Sequence, residues 1–445
     1  MSDERVEPAN EKRASKPVPA RAIQSDEQFV DGSATKPRHG IRKHTGLRVT
    51  LIVVIAIVLI IAGGVAYAWF DLNGRLNHQD VGSILGTDRP STFTPTVPPS
   101  VKYPGDPFAG SPMNILVMGT DSREGANAAV SADDPGGMRS DTTFIAHVSA
   151  DRTRIDVVSI PRDLFITIPK CTDQNGKVIP EAGQKNELFN AAFSYGSRAG
   201  GGSFAIGAAC TIRAVEEMSD LRIDAYVVID FMGFVDVVNA VGGLDVTLLC
   251  RINSPKAGGL DLPAGVNHID GYTAVNLARA RYGTGLGDQS DLQRINRQHM
   301  LFDALIDKVY AMNYVTDFPK LYNLVASVLG SLTTDIGDNL ASIAGFGFSL
   351  RNLNTSNITF ITIPIAGAGD GSHVVLRKSE AEPVWEALRT DQYLPGHEPV
   401  TPGADEGTPP SEAAPSDPQI PENPQTSEEP VAPITAPLVQ SPSDC

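Results

Sequence analysis

Two short stretches concentrate most of the chemistry this sequence offers. Ala278-Arg279-Ala280-Arg281-Tyr282 runs into a glycine-rich loop, and Ser290-Asp291-Leu292-Gln293-Arg294-Ile295-Asn296-Arg297-Gln298 follows it. Arginines and glutamines gather here in a chain of formal net charge -16, which calls for an anionic partner or a set of internal carboxylates. Arg294, Arg297 and Gln298 stand at i, i+3 and i+4 and so share one helical face. Arg279 and Arg281 cannot share a face in mid-helix; Arg281, beside the glycines, is expected at the helix end and turned back. Guanidinium forks combined with backbone donors near a helix N-terminus suit phosphate or diphosphate. The competing account is that Asp288 and Asp291 neutralise these arginines on a solvated surface.

Asp121 and Asp141 tip the balance toward a ligand. Each sits where a strand-like run meets a loop, the place where ligands bind in α/β folds. Two carboxylates beside an arginine-rich anion site suit Mg²⁺ (or Mn²⁺), which takes one or two carboxylates and completes its octahedron with phosphate oxygens and water. Taken singly, each would read as a capping or turn aspartate. The sequence has no Walker A loop, no Gly-x-Ser-x-Gly elbow and no Cys/His spacing for zinc, and His147, His268 and His299 are expected to be structural. The acidic balance excludes nucleic acid as a natural partner.

The elements that must position these residues lie between two polar tails. Val49 to Phe70 is free of charge and long enough, at about 1.5 Å per residue, to cross a hydrocarbon core of roughly 30 Å. Lys36, Arg38, Arg42, Lys43 and Arg48 precede it, so residues 1–48 are expected as a disordered cytoplasmic tail, 49–70 as a single-pass membrane helix, and the remainder outside the cell membrane. A secretory signal peptide is the weaker alternative. Residues 71–112 read as a stalk, 113–397 as the folded domain and 398–445 as a disordered Pro-rich acidic tail. Cys171 and Cys210 are expected to pair; Cys250 is open between a disulfide and a small buried side chain. Met113–Thr120, Thr143–Ser149, Arg154–Ile160, Ala225–Asp230, Leu244–Leu249 and Ile358–Ile363 read as strands. Helices are expected at Asn186–Tyr195, Phe204–Met218, Phe231–Ala240, Gly271–Arg281, from Ser290 with Gln293 as a capping box, at Phe318–Leu329 and at Asn339–Leu350. Alternating strands and helices define an α/β fold, an α-β-α sandwich with a central mixed sheet.

Several motifs together resemble the LytR-CpsA-Psr family of bacterial cell-envelope transferases. They are Gly119-Thr120-Asp121-Ser122-Arg123, Arg139-Ser140-Asp141-Thr142, Ser159-Ile160-Pro161-Arg162-Asp163, Lys185-Asn186 with Asn190-Ala191-Ala192-Phe193 and Tyr195-Gly196, Tyr226 to Phe231 with Val241-Gly242-Gly243, and the two arginine stretches. The resemblance implies a polyprenyl-diphosphate glycan donor, a peptidoglycan hydroxyl as acceptor, and transfer of the phosphoglycan between them. It also implies that Asp121 and Asp141 hold the metal, and that Arg139, Arg162, Arg279, Arg281, Arg294 and Gln298 hold the diphosphate. Catalytic roles fall to Arg162, Asp163, Arg279 and Arg281, with Asp163 orienting Arg162 or acting as base, while Arg123 and Arg297 carry over less directly. A groove for the lipid is expected from Phe189, Phe193, Phe231 and Phe234, the alternative being that these phenylalanines are core. Cys171 and Cys210 fit actinobacterial members, which suggests an arabinogalactan-type glycan. A diphosphatase using water, and a non-catalytic isoprenoid-lipid carrier or sensor affecting transcription indirectly, are the alternatives.

Overall fold

The computed structural model describes residues 45–92, 105–121, 138–180, 182–288, 290–313, 316–370, 372–397 and 445. The expected tails at 1–44 and 398–444, the stalk segment 93–104 and Arg123 lie outside the described residues. The chain divides into two units, residues 1–63 and 64–445. An apolar helix, Thr45–Arg75, begins in the first, and its Val53–Arg75 portion is long and apolar enough to cross a membrane.

A seven-stranded mixed sheet forms the centre of the second unit, in the order Asn77–His78, Leu332–Thr334, Ala225–Asp230, Met113–Thr120, Ser140–Val148, Ile155–Ser159, Ile358–Thr362. Met113–Thr120 runs parallel to Ala225–Asp230 and antiparallel to Ser140–Val148. The last of these pairs antiparallel with Ile155–Ser159 across the 150–153 turn. Successive side chains of a strand point to opposite faces, so each central strand feeds two cores. Leu116, Met118, Ile145 and Val158 pack under the helices Ala191–Ala199, Phe204–Ser219 and Lys378–Arg389. On the other face Ile115, Val148 and Ala225 meet Phe346, while Phe144 meets Phe302 of the Asp291–Tyr310 helix edge to face at 5.1 Å. This is the expected α-β-α sandwich.

Several elements differ from the sequence reading. Leu244–Leu248 is a strand, but it pairs with Gly265–Ile269 in a separate two-stranded sheet rather than joining the central sheet. Lys185–Leu188 is a strand paired with Phe165–Thr167, with Asn186 at φ 57°, and the helix starts only at Ala191. Part of the expected stalk belongs to the fold: Asn77–His78 pairs with Thr333–Thr334, Val81 and Leu85 are buried, and Arg89 meets Glu216 at 2.6 Å. The Lys378–Arg389 helix was not anticipated, because Pro383 interrupts a pattern that otherwise buries Ala381, Val384, Trp385 and Leu388.

Cys171 and Cys210 are bonded, as expected from their positions, and Cys250 bonds Cys445. The Asp335 carboxylate, beside the Leu332–Thr334 strand, accepts the Tyr226 backbone N–H at 2.7 Å, and burial pushes its pKa up to about 7. A carboxyl that keeps its proton when folded and loses it near pH 4 when unfolded adds stability at low pH, and that stability drains away as pH rises to about 7. Asp335→Asn keeps the acceptor and removes the ionisation. It is expected to leave the melting temperature unchanged near pH 4 and to raise it by roughly 2–4 °C at pH 8. An equal shift at both pH values contradicts the assignment.

Candidate functional site

Three adjacent strands end at one edge of the central sheet, and the site is built on that edge. Gly119 is next to last in the Met113–Thr120 strand, Asp141 is second in Ser140–Val148, and Asp230 closes Ala225–Asp230. The Asp230 carboxylate accepts the Gly233 N–H at 2.8 Å and caps the helix Phe231–Ala240, so Phe231 and Phe234 enter the site from its first turn. A cavity of about 260 Å³ lies here. Val117, Phe144, Ile229, Phe231, Phe234, Val275, Leu301 and Phe302 line its apolar part, and Asp141, Arg162, Arg279, Arg281, Arg294 and Gln298 line its polar part.

The two arginine stretches meet as the capping pattern requires. Ser290 Oγ accepts the Gln293 N–H at 3.3 Å and starts the helix Asp291–Tyr310, which carries Arg294 and Gln298 into the cavity. The preceding helix, Gly271–Arg279, ends at Arg279, whose guanidinium lies 4.4 Å over the Phe231 ring at the join of polar and apolar parts. Beyond it Ala280 leaves the helical region (φ -57°, ψ 125°), and Arg281 turns into the cavity. Gly283 lets this loop cross the Ile252–Ser254 strand: at φ +150° a Cβ there would stand 2.1 Å from the Asn253 carbonyl oxygen.

Ion pairs and hydrogen bonds link several charged groups of the polar part. Arg162 donates to Asp141 Oδ1 at 2.9 Å, and Arg294 donates to the Asp141 backbone oxygen at 2.9 Å and pairs with Asp291 at 2.7 Å. Burial alone would push the Asp141 carboxyl up, but the Arg162 and Arg294 charges, with hydrogen bonds from Arg162 and Asn190, hold it below the usual carboxylate range. Burial and the neighbouring Arg162 charge depress Arg294. Burial and the Asp291 charge push Asp163 up. Arg281 Nε and Arg294 Nε are buried without a hydrogen-bond partner, an arrangement that costs free energy until an acceptor arrives.

Of the expected site residues, Asp141, Arg162, Arg279, Arg281, Arg294 and Gln298 converge on the cavity. Asp121 stands at the same sheet edge, its carboxylate accepting the Arg139 backbone N–H at 2.7 Å. Arg139 and Asp163 are not on the cavity wall, and Arg139 is exposed. Arg297 is not on the cavity wall: it is 3% exposed and donates to the carbonyls of Ala280 and Leu286, tying the loop that carries Arg281. The phenylalanine expectation divides. Phe231 and Phe234 line the cavity, whereas Phe189 and Phe193 are fully buried among the helices of the opposite face. The suggested neutralisation by Asp288 and Asp291 is half right, since Asp291 pairs with Arg294 and Arg162 whereas Asp288 accepts the Ser290 N–H. Sequence reasoning did not single out Phe144, Val275 or Phe302 for the cavity, nor Asn190, which donates to Asp141 Oδ1 at 3.4 Å.

Asp121 and Asp141 bring two carboxylates to the ends of paired strands. Arg162 and Asn190 both donate to Oδ1 of Asp141, and the described residues hold no cluster of three or more His, Cys, Asp or Glu side chains. A donor set this small suits Mg²⁺ or Mn²⁺ that takes its remaining oxygens from substrate and water.

At the strand ends of an α-β-α sandwich, one cavity is thus lined by both aromatic or aliphatic side chains and four arginines. Residues 85–390 match the LytR_cpsA_psr family, and the chain belongs to that family. It is 30% identical over 278 residues to the cell wall biosynthesis protein LcpA of Corynebacterium glutamicum, covering 59% of this chain and 52% of LcpA. It is 26% identical over 345 residues to the polyisoprenyl-teichoic acid–peptidoglycan teichoic acid transferase TagT of Bacillus subtilis, covering 76% of this chain and 92% of TagT. The chain therefore spans about half the length of the Corynebacterium relative. The solved structure of gbs0355 from Streptococcus agalactiae shares the fold, with a TM-score of 0.50 at 21% identity over 64% of this chain and 89% of that one.

Proposed function

We propose that the protein is a membrane-anchored transferase that moves a phosphoglycan from a polyprenyl-diphosphate-linked donor to a peptidoglycan hydroxyl. The observation that carries this reading is the buried, unpartnered Arg281 Nε at the polar part of a cavity otherwise walled by aromatic and aliphatic side chains. A diphosphate satisfies the first and an isoprenoid chain the second. The name of TagT supports transfer to peptidoglycan, and that of LcpA a place in cell wall biosynthesis. We take the glycan to be of arabinogalactan type, following the actinobacterial resemblance. The basic residues before the apolar helix support a cytoplasmic N-terminus and an outward-facing domain.

In this reaction the acceptor oxygen attacks the sugar-bearing phosphorus, the bond to the bridging oxygen breaks, and polyprenyl phosphate leaves with the electron pair. Arg162, Arg279, Arg281 and Arg294 position the diphosphate and stabilise the charge that develops on it, which is most of what phosphoryl transfer asks of a protein. Asp121 and Asp141 would hold Mg²⁺, or Mn²⁺, which supplies charge neutralisation at the phosphate oxygens. Asp163, whose carboxyl burial and the Asp291 charge push up, is off the cavity wall, so of its two expected roles we keep that of orienting the neighbouring Arg162.

Reconstituted full-length protein given a labelled donor and peptidoglycan tests this. Label on peptidoglycan, lost on chelation and restored by Mg²⁺, is the expected result. Free phosphoglycan formed with the acceptor ignored would make the protein a diphosphatase; tight lipid binding without turnover in any metal would make it a carrier.

A further inference from the structure

The Ser159–His299 pair has no part in the chemistry above, and its geometry is specific. Ser159 Oγ and His299 Nε2 share a hydrogen bond at 2.6 Å, and the imidazole packs on Phe360 with ring centroids 5.2 Å apart. A serine and a histidine at this distance match a nucleophile and its base. Ser159, however, is 5% exposed and neither residue is on the cavity wall, so neither reaches a substrate there. What the pair does reach is both halves of the clamp. Ser159 ends the strand that leads through Ile160 and Pro161 to Arg162, and His299 follows Gln298 on the helix that carries Arg294.

That helix is tied to the sheet by polar contacts of two kinds. Asp291 with Arg162, and Arg294 with the Asp141 backbone oxygen, use the same guanidiniums that must turn to a bound anion. The Ser159–His299 bond uses no group that meets the ligand. Burial holds the imidazole pKa down to about 4, so it stays neutral over the pH range in which carboxylates and phosphates are charged.

We propose that His299 is a positioning residue which, through Ser159, fixes the spacing between Arg162 and the Arg294–Gln298 helix turn while their arginines are engaged by an anion. This rests on the diphosphate clamp proposed above. The test uses the full-length protein with geranylgeranyl diphosphate as probe, read by calorimetry, and amide exchange of the 160–164 and 291–298 segments as an independent readout. His299→Leu and Ser159→Ala are each expected to weaken binding by about tenfold, with the double variant no weaker than either single one. His299→Gln, which offers an amide near the position of Nε2, is expected to restore most of the affinity. Wild-type affinity in Ser159→Ala, or fully additive losses, would overturn the proposal. If the wild-type protein does not bind the probe, the clamp reading fails. The positioning role is then decided by exchange alone: faster exchange of both segments in both single variants sustains it, and unchanged exchange overturns it.

Discussion

Asp141→Asn is expected to lower kcat by about 10²–10³-fold while leaving the affinity for free diphosphate unchanged or tighter. The carboxylate sits between Arg162 and Arg294 and is held ionised by them. Removing its charge leaves two guanidiniums facing each other, a more attractive site for an anion and a worse one for catalysis. With the negative charge go the restraint on Arg162 and the cation ligand proposed for this carboxylate, so the loss falls on turnover rather than on binding. Because its folded pKa is depressed, the wild-type carboxylate stabilises the fold above the ordinary carboxylate range, and that contribution is lost as pH falls through the depressed value. A parallel loss of kcat and diphosphate affinity, with the melting temperature unchanged, would show that Asp141 orders the anion site rather than serving the reaction.

Ala278→Phe addresses the other end of the ligand. Ala278 lies on the cavity wall one residue before Arg279, so an aromatic ring there occupies space that an isoprenoid chain needs. At about 0.8 kcal/mol per buried CH₂, excluding even four carbons costs roughly 3 kcal/mol, or about a hundredfold in affinity for a long-chain donor. Inorganic diphosphate, which needs only the guanidiniums, should bind as it does to wild type. Equal weakening of both ligands would mean that the substitution has disturbed the Gly271–Arg279 helix, and unchanged binding of both would remove the apolar cavity from the account.

Much of this site was legible because helical spacing and charge can be read directly. Ser290 with Gln293 fixes a helix start, and from that start Arg294 and Gln298 fall on one side. Spacing did not separate Arg297 from them. Residues three apart are still about 60° apart around the axis, and here that offset divides a cavity from a loop of backbone carbonyls. The phenylalanines show the same limit. Phe189 and Phe193, and Phe231 and Phe234, all carry helix-compatible spacing. Which pair lines the cavity depends on the sheet face that each segment covers, a long-range fact absent from either segment. The Asn77–His78 strand escaped notice for another reason: two residues give no alternation to detect, and their place comes from Thr333–Thr334, far along the chain.

The central claim is that one cavity holds a diphosphate against Arg162, Arg279, Arg281 and Arg294 and its isoprenoid chain against Phe231, Phe234 and Phe302. Photo-crosslinking of the full-length protein with a polyprenyl diphosphate carrying a diazirine on its chain, followed by peptide mass mapping, measures this most directly. The account predicts label within Phe231–Ala240 and Asp291–Tyr310, competed away by unlabelled donor and by inorganic diphosphate. Label confined to other surfaces of the domain, or insensitive to diphosphate, would contradict it.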